Sequence, residues 1–114
     1  MKKLILTLAL GVLVCAPVVA NANNAITTTD LYYSLQSMRD PNYQFWQGYV
    51  AGAANSYFNY TSVRLKCDFP QGVTVGQEVQ ITLNYLKNNA KIWELPPDTL
   101  IWLAMKEAFP CKVN

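Results

Sequence analysis

Residues 74–88, TVGQEVQITLNYLKN, carry the clearest structural signal of this 114-residue chain. Thr74 and Gln77 have the spacing of a capping box, in which each side chain binds the backbone of the other residue at the start of a helix. Apolar residues then recur at the period of a helix that buries one face. These residues are Val75, Val79, Leu83 and Leu86. The segment therefore predicts a helix that begins after Thr74 and ends at about Asn88.

Two other helices are expected, one before and one after the middle of the chain. The first spans about residues 29–38, with Thr28 or Thr29 as its N-cap. The last opens at residues 95–98, Leu-Pro-Pro-Asp, because proline is favoured in the first turn of a helix. It ends before Pro110, which cannot continue the hydrogen-bonding pattern.

A longer helix is expected between these elements. Pro41 suits a first helical position, with Asp40 as the N-cap, and the apolar period continues through residues 43–60. Gly48 and Gly52 lie within this helix, where each glycine costs about 1 kcal/mol relative to alanine. We therefore expect them to permit the close approach of another helix within the domain.

The first 22 residues are typical of a secretory signal peptide. Two lysines precede a short apolar run, and the Ala20-Asn21-Ala22 ending predicts cleavage after Ala22. The run is shorter than the ~20 residues that a membrane-spanning helix needs. Cys15 follows Val14 rather than a small residue, which argues against a lipid anchor. We expect a periplasmic protein that comprises one domain, residues 23–114.

The secreted part of the chain is formally neutral. The nine basic residues include Lys2 and Lys3, so the remaining 92 residues carry seven basic and seven acidic groups. A neutral domain gives no electrostatic reason to bind nucleic acid or an anionic membrane. Neither partner is expected.

Two cysteines, Cys67 and Cys111, remain after cleavage in a protein destined for an oxidising compartment. A disulfide between them is the natural inference, and it would stabilise so small a domain by about 4 kcal/mol. Residues 62–67 alternate weakly in hydrophobicity and are the one candidate strand. The sequence thus predicts an all-α single domain of about four helices, stapled by one disulfide.

Nothing in the composition indicates catalysis. The chain has no histidine, which removes the commonest general base and metal ligand, and its few acidic residues are scattered. Two cysteines with 43 residues between them match no zinc pattern. We therefore expect neither an enzyme nor a bound metal or cofactor. Trp93 lies in a connection between helices, where contact with a partner and local packing are equally plausible.

Four segments of the chain resemble the Rap/Tai family of immunity proteins, which neutralise peptidoglycan amidases delivered by type VI secretion. Their order and spacing match over about residues 30–111. The pattern from the first cysteine to the second is the specific part of the resemblance. The segments are Phe45–Gly52, Cys67–Gln77 with Tyr85-Leu86, Leu95–Pro97 and Glu107–Cys111.

One departure from the family is informative. Family members often carry a second cysteine pair, at positions that match Leu35 and Trp46 of this chain. Both cysteines are absent together. We therefore expect an apolar contact to replace a bridge between the first two helices.

The resemblance implies an exported helical inhibitor, a homodimer that occludes the active-site cleft of an incoming amidase. Such a protein needs no catalytic residues. The family places the inhibitory contact on loops and exposed helix faces. Our candidate partner-binding residues are Tyr60, Arg64 and Lys66, and the connection Lys91, Ile92, Trp93 and Glu94.

Two other functions remain open. A small periplasmic stress chaperone of the acid-resistance type is also helical and held by one disulfide, and such chaperones expose apolar surface when acid unfolds them. This chain has the aromatic content for that role but few acids to titrate. An enzyme that acts on wall fragments is the third hypothesis. Acid-induced dye binding would identify the chaperone, and hydrolysis of a wall fragment by the protein alone would identify the enzyme.

Overall fold

A computed structural model describes residues 26–113 of the chain. Within this range four α-helices form a single small domain, and the predicted all-α class is confirmed. The signal peptide predicted for residues 1–22 lies outside the described residues. The elements are α1 (Thr28–Ser34), α2 (Tyr43–Arg64), β1 (Cys67–Asp68), α3 (Val75–Asn88), a 3-10 turn (Ala90–Ile92), α4 (Pro97–Ala108) and β2 (Lys112–Val113).

Local capping explains where two of the helices begin. The capping box of α3 is confirmed: the backbone N–H of Gln77 donates to Thr74 Oγ1 at 3.1 Å, and that of Thr74 donates to Gln77 Oε1 at 2.8 Å. The N-cap of α1 is Thr27, whose hydroxyl accepts from the backbone N–H of Asp30 at 3.1 Å. The prediction of Thr28 or Thr29 was therefore wrong by one or two residues, and α1 ends at Ser34 rather than near residue 38.

The bounds of α2 also differ from the prediction. The prediction of a helix from Pro41 with Asp40 as its N-cap was wrong, since α2 begins at Tyr43 with Asn42 in the N-cap position. The Asp40 carboxylate accepts from the backbone N–H of Asn42 at 2.8 Å, in the turn before the helix. At the other end α2 continues to Arg64, so most of the strand predicted for residues 62–67 is helical. Only Cys67–Asp68 is extended, paired antiparallel with Lys112–Val113.

Two contacts between α2 and α4 show how these helices are oriented relative to each other. Tyr49 in the first half of α2 lies beside Asp98 at the start of α4. Tyr57, two turns further on, donates its hydroxyl to the carbonyl of Phe109 at the end of α4, at 2.9 Å. The helices α2 and α4 therefore run in the same direction, and α3, which connects back between them, runs in the opposite one.

The two ends of this bundle are distinct. At the end where α2 and α4 finish, a disulfide joins Cys67 to Cys111, with Cα atoms 5.0 Å apart, which confirms the predicted bridge. We call this the disulfide end. At the opposite end, the hydroxyl of Thr28 donates to the carbonyl of Leu95 at 2.8 Å, which ties α1 to the connection before α4. We call this the α1 end.

The core runs through all four helices. Leu35 and Trp46 are each only 4% exposed and belong to this core, whereas a direct contact between them in place of a bridge stays a prediction. The other buried apolar residues of the cluster are Leu31, Val50, Ala54, Tyr57, Val79, Leu86, Leu100, Ile101, Ala104 and Met105.

The glycines of α2 do not pack as predicted. Gly48 and Gly52 are both exposed, and a Cβ atom at either position would meet no atom within 4 Å among the described residues. The expected close approach of another helix within the domain is therefore wrong. No helix in the described part of the chain has the length and apolar character needed to cross a bilayer.

Candidate functional site

The predicted contact residues 91–94 lie at the α1 end, in and after the 3-10 turn. Trp93 is half-buried: its indole N–H donates to the carbonyl of Leu86 at 2.9 Å, and its ring lies 4.6 Å from that of Tyr32 in α1. Lys91 and Glu94 are exposed beside it. The structure thus gives Trp93 a role in local packing, and its role in partner binding stays a prediction.

The other predicted residues lie toward the disulfide end. Tyr60 is 50% exposed and its ring lies 5.6 Å from that of Trp102 in α4. Arg64 is the last residue of α2 and is exposed. Lys66 follows with a φ of 55°, the left-handed conformation that ends many helices but that glycine adopts more easily. These three side chains extend along the exposed surface of the second half of α2 and the turn after it.

The structure does not bring the two predicted segments together. They are separated by the length of α3, whose 14 residues span about 20 Å, since its first residues lie at the disulfide end and Leu86 lies at the α1 end. A partner therefore meets either one segment or a surface that extends along the whole bundle. Each end is a separate candidate for partner binding.

An open cleft of about 680 Å³ adjoins Lys66 at the disulfide end. It lies between the second half of α2, the first turn of α3 and the segment that joins them, whose path is fixed in part by Gly72 at a φ of 83°. The lining combines polar, charged and aromatic side chains. The polar side chains are Asn55, Asn59, Ser62, Lys66, Asp68, Gln71 and Glu78, and the aromatic ones are Phe58 and Phe69.

Glu78 differs from the other charged residues of the cleft because it is buried. It is only 4% exposed, and burial raises the pKa of its carboxyl group above the ordinary value. Our sequence analysis missed it because Val75 and Leu83 were assigned to the buried face. In the structure Val75 is exposed, and the buried positions of α3 are Glu78, Val79, Thr82 and Leu86. The spacing 78, 82, 86 is the signal that could have identified this face.

The described residues contain few clusters of titratable side chains. Among residues 26–113 there is no group of three or more histidine, cysteine, aspartate or glutamate side chains that could hold a metal ion. The cleft has one buried carboxylate, Glu78, and it brings no second buried acid against it. Its amide side chains and aromatic rings are suited to hold a polar group of another molecule.

Comparison with known proteins gives the family. The sequence profile of the Rap1a immunity proteins matches residues 27–111, which cover nearly all of the described domain and both bridged cysteines. Neither the comparison with curated proteins nor that with solved structures found a match. With its helical fold and its single described disulfide, the chain belongs to the family of Rap1a immunity proteins.

Proposed function

We propose that this protein is a periplasmic immunity protein that binds a peptidoglycan amidase effector and inhibits it by occluding the active site. The observation that carries the proposal is the family match over residues 27–111. An immunity protein of this kind acts by binding, so it needs a rigid surface complementary to its target rather than catalytic groups. The disulfide-linked helical domain supplies such a surface.

The proposed periplasmic location is supported by the start of the sequence and by the disulfide. The basic and apolar start of the sequence supports export with cleavage after Ala22, and the Cys67–Cys111 bridge is stable in an oxidising compartment. An amidase that attacks the wall acts in that same compartment. Mass spectrometry of the protein purified from the periplasm should give the mass of residues 23–114, and retention of the first 22 residues would contradict this location.

We also propose a homodimer, for which α2 offers a surface. The helix carries no charged residue before Arg64, and its outward side has exposed apolar groups at both ends, Phe45 and Val63. Between them Gly48 and Gly52 leave open space in which the helix of a second copy could lie close. Analytical ultracentrifugation should give a dimer that Gly52→Arg converts to a monomer, with Lys87→Arg on α3 as a control. A wild-type monomer at high concentration would exclude this dimer.

The decisive experiment uses the amidase encoded beside this protein. Calorimetry and a wall-hydrolysis assay should show nanomolar binding with loss of amidase activity, and expression in the periplasm should protect cells from the amidase. Failure to bind any wall hydrolase, with the disulfide intact, would overturn the proposal.

The same assay can decide between the two ends of the bundle. Arg64→Glu changes an exposed charge at the disulfide end, and Lys91→Glu changes one at the α1 end, so both variants should fold normally. Charge reversal at the end that contacts the amidase should weaken binding about tenfold or more. The variant at the other end then serves as the matched control.

Glu78 gives no support to the acid-activated chaperone. A chaperone of that type needs groups whose protonation destabilises the folded state. Glu78 acts in the opposite direction, because burial raises its pKa and protonation in acid therefore favours the folded domain. Dye binding that stays low on acidification would agree with the immunity function, and a strong increase at mildly acidic pH would favour the chaperone.

A further inference from the structure

Glu78 has no ion-pair partner within the described part of the molecule, although Lys66 lines the same cleft. Its side chain is 4% exposed, and none of the hydrogen bonds or ion pairs among residues 26–113 involves its carboxylate. No buried polar side-chain atom in this range is without a partner. The carboxylate oxygens must therefore still reach water, and they do so in the cleft that Glu78 lines.

A buried carboxylate in this position is energetically unfavourable. Removal of an ionised group from water costs free energy unless a cation or several hydrogen bonds replace the lost hydration. Glutamine has the same shape and would fill the same space without that cost. The site thus has the charge, the position and the access to solvent that suit the binding of a cation.

The lining of the cleft indicates what kind of cation fits. A metal ion in a protein usually takes several oxygen or nitrogen ligands with more than one negative charge, and no group of three such residues exists in the described chain. An ammonium or guanidinium group needs less: one carboxylate plus neutral acceptors. The amide oxygens of Asn55, Asn59 and Gln71 are such acceptors on the same walls.

The size and remaining charges of the cleft point to a side chain presented by another protein. A volume of about 680 Å³ exceeds a lone cationic group and accommodates a long side chain with part of its backbone. Phe58 and Phe69 supply apolar surface for the stem of such a side chain. Asp68 adds a second negative charge to the lining, whereas Lys66 opposes a cationic guest from the rim.

We propose that this cleft receives a lysine or arginine side chain of the bound effector, with Glu78 as its counter-ion. That the guest belongs to the effector rests on the proposed immunity function, whereas the preference of the cleft for a cation depends on this chain alone. The two parts are therefore tested separately.

The first experiment tests the cleft without any effector. N-acetylarginine amide and N-acetyllysine amide are titrated into the ¹⁵N-labelled protein purified from the periplasm. The side-chain amide signals of Asn55, Asn59 and Gln71 should shift, and the neutral analogue N-acetylcitrulline amide should leave them unchanged. Equal shifts with citrulline, or no shifts at high millimolar concentration, would overturn the assignment of a cation site.

Variants make the first experiment specific to Glu78. Glu78→Gln should weaken binding of the arginine probe about tenfold or more, because the counter-charge is lost. The matched control is Glu107→Gln, which removes an exposed carboxylate from α4 and should leave binding unchanged. Lys66→Asn removes the opposing charge at the rim and should strengthen binding of the same probe. An unchanged affinity in both cleft variants would overturn the role of Glu78 even if the probe binds.

The second experiment uses the effector itself. Calorimetry with the purified amidase should show that Glu78→Gln weakens the complex about tenfold or more and that Glu107→Gln does not. Tight binding that Glu78→Gln leaves unchanged would overturn this inference and leave the immunity function standing. If the protein binds the arginine probe but no wall hydrolase, the cation site stands. The proposal that an effector side chain occupies it is then overturned.

Discussion

At the disulfide end of the bundle a covalent bond holds the chain together, whereas at the α1 end packing and hydrogen bonds do so alone. Cys67 and Cys111 join β1 to the segment after α4. At the α1 end Leu35 and Trp46 are buried in the core instead. Two hydrogen bonds complete that end, from Thr28 to Leu95 and from Trp93 to Leu86.

This difference bears on which destabilising features each end of the bundle contains. The disulfide end has an open polar cleft, a residue in the left-handed conformation and a buried carboxylate, each of which costs stability. Among its described residues the α1 end has no left-handed residue and no buried carboxylate, and its open cleft is smaller, about 460 Å³. A cross-link that restricts the unfolded chain offsets the unfavourable features beside it, so this end can be shaped for binding.

Loss of the bridge should have the largest effect. In Cys67→Ser with Cys111→Ser, the free energy of unfolding should fall by about 4 kcal/mol, because a loop closed across 44 positions becomes free in the unfolded state. Urea denaturation measures the loss. Hydrogen exchange should accelerate first in residues 66–73 and only later in α1. A loss below about 1 kcal/mol would show that the disulfide end does not depend on its cross-link.

The α1 end should depend on its apolar contacts instead. Leu35→Ala removes a side chain that is 4% exposed, and it should lower the free energy of unfolding by about 3 kcal/mol. The exposed neighbour Gln36 provides the control, since Gln36→Ala should change stability little. Equal denaturation midpoints for the two variants would mean that the buried apolar contacts do not stabilise the α1 end.

The left-handed residue at the disulfide end gives a smaller effect of opposite sign. Lys66→Gly should raise the free energy of unfolding by up to about 1 kcal/mol, because glycine adopts a φ of 55° without steric cost. Lys66→Ala also removes the amino group but keeps the Cβ atom, so it should give no gain. A gain in the alanine variant as large as that in glycine would point to charge rather than backbone strain.

The features that the sequence predicted correctly are those set by local chemistry. The helix after Thr74 has its capping box and its end at Asn88 where expected, because neighbouring residues satisfy the exposed backbone groups. The Cys67–Cys111 bridge followed from cysteine count and compartment. Pro97 began α4 as expected, since its ring favours the first turn.

The features that were missed depend on residues far apart in the chain. The alternation of residues 62–67 indicated a strand, but α2 continues to Arg64, with the hydroxyl of Thr61 donating to the carbonyl of Tyr57 one turn earlier. Gly48 and Gly52 indicated a close helix contact, yet the other helices pack on different faces of α2. The position of Glu78 in the cleft depends on which side of α3 meets α2, which periodicity alone could not decide between adjacent positions.

The smallest effect on stability is expected for Glu78→Gln, and this effect should depend on pH. Because burial raises the folded pKa of Glu78, its contribution to stability is fully present below the ordinary glutamate value of 4.5 and is lost as the pH rises through the folded pKa. Glutamine stays neutral, so the variant should melt at a higher temperature than the wild type at pH 7, and the difference should vanish as the pH falls below 4.5. Thermal denaturation from pH 3 to pH 8 measures this, with Glu107→Gln as the control for loss of a negative charge. A variant less stable than the wild type at pH 7 would mean that the carboxylate already has a stabilising partner. Glu78 would then have a structural role at the disulfide end, and the cleft would not be a binding site for a cation.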